Sequence, residues 1–226
     1  MRLTFVAALL VIPIWGRTPA ERALDAQDRA ALEKIITQLS AKAEARPQDA
    51  AAQYAAAQAN SLLAQLGIEL GDKALGKNAA EAGIVSARKA VAAQPERAEY
   101  HRVLGMLCGQ VIPANVMAGL KYGKCAMEEV EKAVELDAKS SDIWLSRGVG
   151  NYYLPAMFGG GVEKAIGDLE KAVALNPKSS EAHLWLGIAL RKAGRNADAR
   201  KALAKSLEIN PARKWAKQQL EKTPAQ

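Results

Sequence analysis

The chain has 226 residues, half of them hydrophobic and 5% aromatic, with a formal net charge of +7 and a pI near 9.4. That length holds one or two globular domains, and the apolar share excludes a chain too poor in hydrophobic residues to build a core. Basic residues thicken from Arg191 to Lys222; they read as a solvated helix face, with attraction to an acidic partner or a membrane surface as the sharper alternative.

Residues 1–20 have the pattern of a secretory signal peptide. Arg2 precedes a thirteen-residue apolar run, 3–15, which is too short to span a bilayer comfortably. Cleavage is expected after Gly16 or Ala20, and no cysteine follows the run to carry a lipid. The expectation is export, most simply to a periplasm, with secretion as the alternative. No transmembrane segment is expected in the mature chain.

Residues 21–45 predict one charged amphipathic helix, with Leu24, Leu32, Ile35, Ile36 and Leu39 on its apolar side and Arg46-Pro47 at its end. It reads as an N-terminal cap, 21–47. An Ala-rich helix, about 49–66, a looser segment, 67–76, and a helix running to Ala93 follow. A third helix covers about 97–111; its partner begins near Asn115 and ends near Leu136. The next pair is 144–153 and 162–175, joined by a loop because Pro155 and Gly159-Gly160-Gly161 break a helix. The last pair lies in 180–211, and residues 212–226 predict a capping helix with Trp215, Ala216 and Leu220 on one side, then a tail.

The clearest pattern is 180–211. With Ser180 as position 1, Leu186-Gly187 fall at 7 and 8, Ala199 at 20, Leu203 at 24, Ser206 at 27 and Pro211 at 32. Gly187 and Ala199 let two helices touch, Leu186 and Leu203 fill the seam, and Pro211 stops the second helix. The pattern repeats. EKAVELDAKSS (131–141) and EKAVALNPKSS (170–180) share eight of eleven residues. The helix-ending positions Pro47, Pro95, Ala138, Pro177 and Pro211 are 48, 43, 39 and 34 residues apart. The small pairs in the four units are Ala57 with Gly83, Gly105 with Ala126, Gly148 with Ala165, and Gly187 with Ala199.

Over about 48–211 the chain resembles the tetratricopeptide repeat (TPR) family, in units of about 48–95, 96–138, 139–177 and 178–211. The resemblance implies an all-α fold: a right-handed α-solenoid of stacked helix pairs with capping helices and a concave groove that commonly binds peptides. It resembles an exported bacterial TPR protein. On the family's register the groove is lined by Arg102, Met106 and Gln110, then Asp142, Leu145, Val149, Tyr152 and Tyr153, then Glu181, Leu184, Ile188, Arg191 and Lys192. That implies an apolar, aromatic middle and a basic C-terminal edge, suited to an apolar or aromatic-bearing segment with acidic flanks. A loop or terminal helix filling the groove is the alternative. The Lys/Asn clamp that some relatives use for a terminal carboxylate is absent.

Chemistry-bearing residues are sparse. His101 and His183 share position 4 of their units with Trp144, which points to packing rather than metal binding. Cys108 and Cys125 could form a disulfide between antiparallel helices in an oxidising compartment, or remain two buried thiols. Gly159-Gly160-Gly161 lacks the spacing of a phosphate loop, and no GxSxG, HExxH or paired-cysteine motif occurs. The chain therefore reads as a non-enzymatic protein mediating protein–protein interaction or complex assembly in the cell envelope. No cofactor, catalytic residue, metal site or nucleic acid is implied. A solute-binding or transporter-accessory protein is the alternative.

Overall fold

The computed structural model describes residues 17–114 and 116–225, and among them all regular structure is helical. Eleven α-helices follow one another: α1 (Pro19–Asp25), α2 (Arg29–Ala45), α3 (Ala50–Leu70), α4 (Lys73–Ala93), α5 (Ala98–Val111), α6 (Val116–Leu136), α7 (Ser141–Tyr153), α8 (Val162–Leu175), α9 (Ser180–Lys192), α10 (Asn196–Ile209) and α11 (Lys214–Glu221). From α3 to α10 they pack as four successive pairs, each on the next, in an α-solenoid. Residues 1–16 of the signal-like segment, and the expected helix start at Asn115, lie outside the described residues.

The joints between pairs share one geometry. The amides of Asp49, Arg97, Ser140, Ser179 and Arg213 each donate to the carbonyl three residues earlier, at 3.0–3.4 Å. Pro47, Pro95, Pro177 and Pro211 stand second in these turns, where proline's fixed φ is already correct. Ala138 stands there in the third turn, whose bond is the longest at 3.4 Å. The fourth residue of each following helix then fastens the turn. Gln53 Nε2, His101 Nε2, Trp144 Nε1 and His183 Nε2 reach the carbonyls of Pro47, Pro95, Ala138 and Pro177, at 3.4, 2.7, 2.8 and 3.1 Å. Both histidines thus stand at a repeated joint, and Gln53 is a member that the residue pattern did not single out.

Two boundaries depart from expectation. The single helix of 21–45 is two: Gln27 adopts a positive φ of 51°, the amide of Asp28 donates to Ala23 O at 2.8 Å, and Asp28 caps α2 through the amide of Ala31. The looser segment 67–76 is almost wholly helical. Only Gly71, with φ 72°, and Asp72, which caps α4, interrupt it.

Two large apolar clusters make up most of the core, with smaller ones around Tyr100 and Trp144. Of the large clusters, one joins α1 and α2 to the first two pairs, around Leu24, Leu32, Leu66 and Leu107; the other joins the last two pairs to α11, around Leu169, Leu184, Trp185 and Trp215. Cys108 and Cys125 form a disulfide between α5 and α6, with Cα atoms 6.0 Å apart. Backbone approach sets the helix seams. A Cβ on Gly187 would stand 2.5 Å from Leu203 Cγ and 3.0 Å from Ala199 O, and one on Gly148 would meet Leu169 Cγ at 2.7 Å and Ala165 O at 3.3 Å. In the two longer units the register differs from the expected pairs. Gly105 faces Val130, not Ala126, one turn further along α6, and Gly83 faces Asn60, not Ala57. The 21-residue helices α3, α4 and α6 extend past the standard length, so their crossing point moves along the helix.

Candidate functional site

The first helices of the pairs, α3, α5, α7 and α9, contact one another in turn and build the concave face, and α1 meets the segment from Arg213 beside α3 and α9. The expected groove residues therefore have different environments. Leu184 and Ile188 are 0% and 4% exposed, in one apolar cluster with Trp215 and Ala216 of α11. They are core residues, which corrects their assignment to a partner-binding surface. Leu145, Val149 and Tyr152 are half-buried against the same cluster. Arg191 holds α11, donating to Gln219 Oε1 at 2.6 Å and to the Gln219 carbonyl at 3.2 Å. Lys192 donates to the carbonyl of Tyr152 at 2.8 Å and sits 4.1 Å from the centre of its ring. Tyr153 is exposed, at 46%. The rings of Tyr152, Tyr153, Trp185 and Trp215 pack edge to face at 5.0–6.1 Å, against one another rather than around a cavity.

Arg102 and Met106 lie where the second pair meets the third. Arg102 Nη1 donates to Ser146 Oγ at 3.1 Å and approaches Met106 Sδ at 2.9 Å, while its Nε donates to Glu99 Oε2 at 2.7 Å. Tyr54 donates to Glu99 Oε1 at 2.7 Å, and Gln110 donates to Ser61 O at 3.1 Å. Burial works to raise the Glu99 pKa, but the charge and hydrogen bonds of Arg102 outweigh it and hold the carboxyl below its ordinary range.

A buried charge cluster stands beside these residues, between α1, α3, α9 and the start of α11. Arg213 is fully buried just before α11. Its Nε donates to Glu181 Oε1 at 2.6 Å and its Nη1 to Glu69 Oε2 at 3.0 Å; Nη2 also donates to Glu69. Asp25 Oδ1 stands 3.7 Å away and is paired with Arg17 at 2.8 Å on its other oxygen. One guanidinium thus joins α1, α3 and α9 to the start of α11. Gln27 and Gln218 exchange side-chain hydrogen bonds at 3.1 and 3.3 Å beside it, and Gln65 donates to Glu181 Oε2 at 3.4 Å.

Three carboxylates share two arginines here, and they respond differently. Burial raises the pKa values of Glu69 and Asp25, despite the neighbouring arginines. Burial also works to raise Glu181, but the charge and hydrogen bond of Arg213 outweigh it and lower its pKa. Sequence reasoning missed Arg213 because its partners are remote in the chain. No local signal marks it, since Arg97 and Arg195 stand at N-cap positions as Arg213 does, and Arg195 pairs with nearby Asp198. Arg97 lies over the Tyr100 ring at 5.9 Å; Arg213 closes the molecule.

Among the described residues no group of three or more His, Cys, Asp and Glu could hold a metal ion, and no helix is long and apolar enough to cross a membrane.

Residues 20–224 match the family model described as regulator of microtubule dynamics protein 1-3. No curated protein matches the chain. Among solved structures it is similar to TTC0263, a thermophilic TPR protein in Thermus thermophilus, at 20% identity and a TM-score of 0.62, over 90% of this chain and 97% of that one. It is also similar to the HusA haemophore from Porphyromonas gingivalis, at 19% identity and a TM-score of 0.55, over 79% of this chain and 96% of that one. At these identities the likeness is one of fold.

Proposed function

The chain belongs to the family of the regulators of microtubule dynamics proteins 1-3, and on that premise we propose that it is a non-enzymatic TPR-like scaffold binding a protein partner in the cell envelope. One observation carries the reading: its stacked pairs hold the C-terminal segment, Arg213 and the helix α11 that follows it, through residue-specific side-chain contacts from α3, α9 and the turn between α1 and α2. A surface that selects a helix by its side chains is the working part of an interaction protein.

Export is supported by one feature. The Cys108–Cys125 disulfide suits an oxidising compartment. The contacts of Arg17 and Thr18 favour cleavage after Gly16 over cleavage after Ala20. Thr18 and Glu21 form a capping box at the start of α1, and Arg17 pairs with Asp25; cleavage after Ala20 would remove both devices. A second reading follows from the family description, which names microtubule dynamics and would place the chain beside a cytoplasmic polymer.

The test is crosslinking in the host followed by mass spectrometry, with N-terminal sequencing of the recovered chain. The expected outcome is a reproducible protein partner and an N-terminus at Arg17. An intact N-terminus overturns export, and a co-purifying small molecule with no protein partner overturns the scaffold reading in favour of solute binding.

A further inference from the structure

The side-chain contacts of the C-terminal segment, Arg213 with α11, come from α3, α9 and the turn between α1 and α2, while α11 itself packs on α10. Glu69 of α3 and Glu181 of α9 take its leading arginine, Arg191 of α9 takes Gln219, and Gln27, between α1 and α2, takes Gln218. Trp185 of α9 packs against Trp215 at 5.2 Å. The preceding second helix, α10, supplies Arg200, which binds the carbonyls of Leu220 and Thr223 at 3.3 and 2.7 Å. That contact is to backbone alone and would cap any helix end. A helix serving only to cover the last pair has no need of carboxylates from the first pair.

Without Arg213 the concave face would present Glu69, Glu181 and Asp25 with only Arg17 to offset them, beside an open Trp185 edge. Such a site calls for a cation followed closely by an aromatic ring. Only a guanidinium matches the forked contact with Glu69 and the further bond to Glu181.

We propose that Arg213 with α11 is a resident copy of the partner's binding segment, and that this face recognises a helix led by an arginine, with an aromatic residue two positions on from it and amides five and six positions on. The proposal rests on the scaffold reading above and names the chemistry of its partner. In the resting chain α11 occupies the site at the high effective concentration that tethering provides. A partner helix of the same pattern replaces it, and the solenoid opens along the line where its two ends meet.

The test uses a fluorescent synthetic peptide of residues 210–224 and the full chain. Parent protein is expected to bind it weakly, because the tethered copy competes. A full-length Arg213→Ala/Trp215→Ala variant, shown by circular dichroism to keep its helicity, is expected to bind about a hundredfold more tightly. The same peptide with Arg213→Ala should bind neither protein. Equal binding by parent and folded variant, or no binding by the folded variant, overturns the proposal. Native-state hydrogen exchange on the parent keeps the idea testable even if the variant fails to fold. Amides of α11 should exchange through a local opening, well before those of α9 and α10; exchange of α11 only with global unfolding overturns it. The scaffold reading fails separately, through absence of a crosslinked protein, which peptide exchange does not measure.

Discussion

Glu69 and Glu181 bind the same arginine, yet they contribute to stability in opposite directions. A carboxyl whose pKa is raised on folding makes the folded state take up a proton. Its contribution is fullest below the unfolded value and declines as pH rises through the folded one. Glu69 behaves this way, by burial. Glu181, held low by Arg213 against the effect of burial, contributes above the unfolded value and loses that contribution as pH falls through the folded one. We therefore expect Glu69→Gln to change stability at pH 7 by less than about 1 kcal/mol, since the amide still accepts from Arg213 and one surplus charge is gone. Glu181→Gln should cost about 1–3 kcal/mol at pH 7 and less at about pH 4. Urea melts at both pH values measure this; equal losses for the two variants would contradict the assignment. Surroundings also override register at Leu184, which sits on the groove side of its helix and is nonetheless core, because α11 lies in its cluster.

At the scale of elements, the joints between pairs are locally determined. A turn with proline in its second position, followed by a donor at the fourth helical residue, recurs with few changes from Pro47 to His183. The seams within pairs depend on how far each helix extends, which is why Gly105 meets Val130 instead of Ala126. The last seam gives a direct contrast. Gly187→Ala places a methyl 2.5 Å from Leu203 Cγ and 3.0 Å from the Ala199 carbonyl, and backbone yields less readily than a side chain. We expect a loss of about 1–3 kcal/mol. Gly150, near the end of α7, is exposed and has nothing within 4 Å of the added Cβ, so Gly150→Ala should stabilise by about 0.5–1 kcal/mol through helix propensity. Thermal melts of the two variants should move in opposite directions.

Across the whole molecule, the governing feature is closure. A solenoid of four pairs has two ends, each with an apolar face to cover. Here α1 and α2 cover one and α11 the other, and the two caps meet through Gln27 and Gln218 and through Arg213. The two contacts should differ in strength. Gln27→Ala with Gln218→Ala removes a partly exposed amide pair and is expected to cost less than about 1.5 kcal/mol. Arg213→Ala leaves Glu69 and Glu181 without their guanidinium, a loss of about 3–5 kcal/mol if the site stays dry. If α11 opens and water reaches the carboxylates, the cost is limited to that of opening. Chemical denaturation of both variants, read together with exchange of the α11 amides, separates these cases.

The sequence by itself determined the repeat. Its prolines, small residues and amphipathic spacing act within a few turns of chain, and so the four pairs, the turns between them and the shared position of His101, Trp144 and His183 were all legible from residue order. The break at Gln27 was not legible, since the apolar pattern of 21–45 runs straight through it. The centre of the candidate site was also beyond reach. Arg213 is 144 residues from Glu69 and 32 from Glu181, and no local pattern encodes a charge pair over such distances. Only the curvature of the stacked pairs decided that the helices at the two ends of the fold would meet, and that one buried arginine would stand where they do.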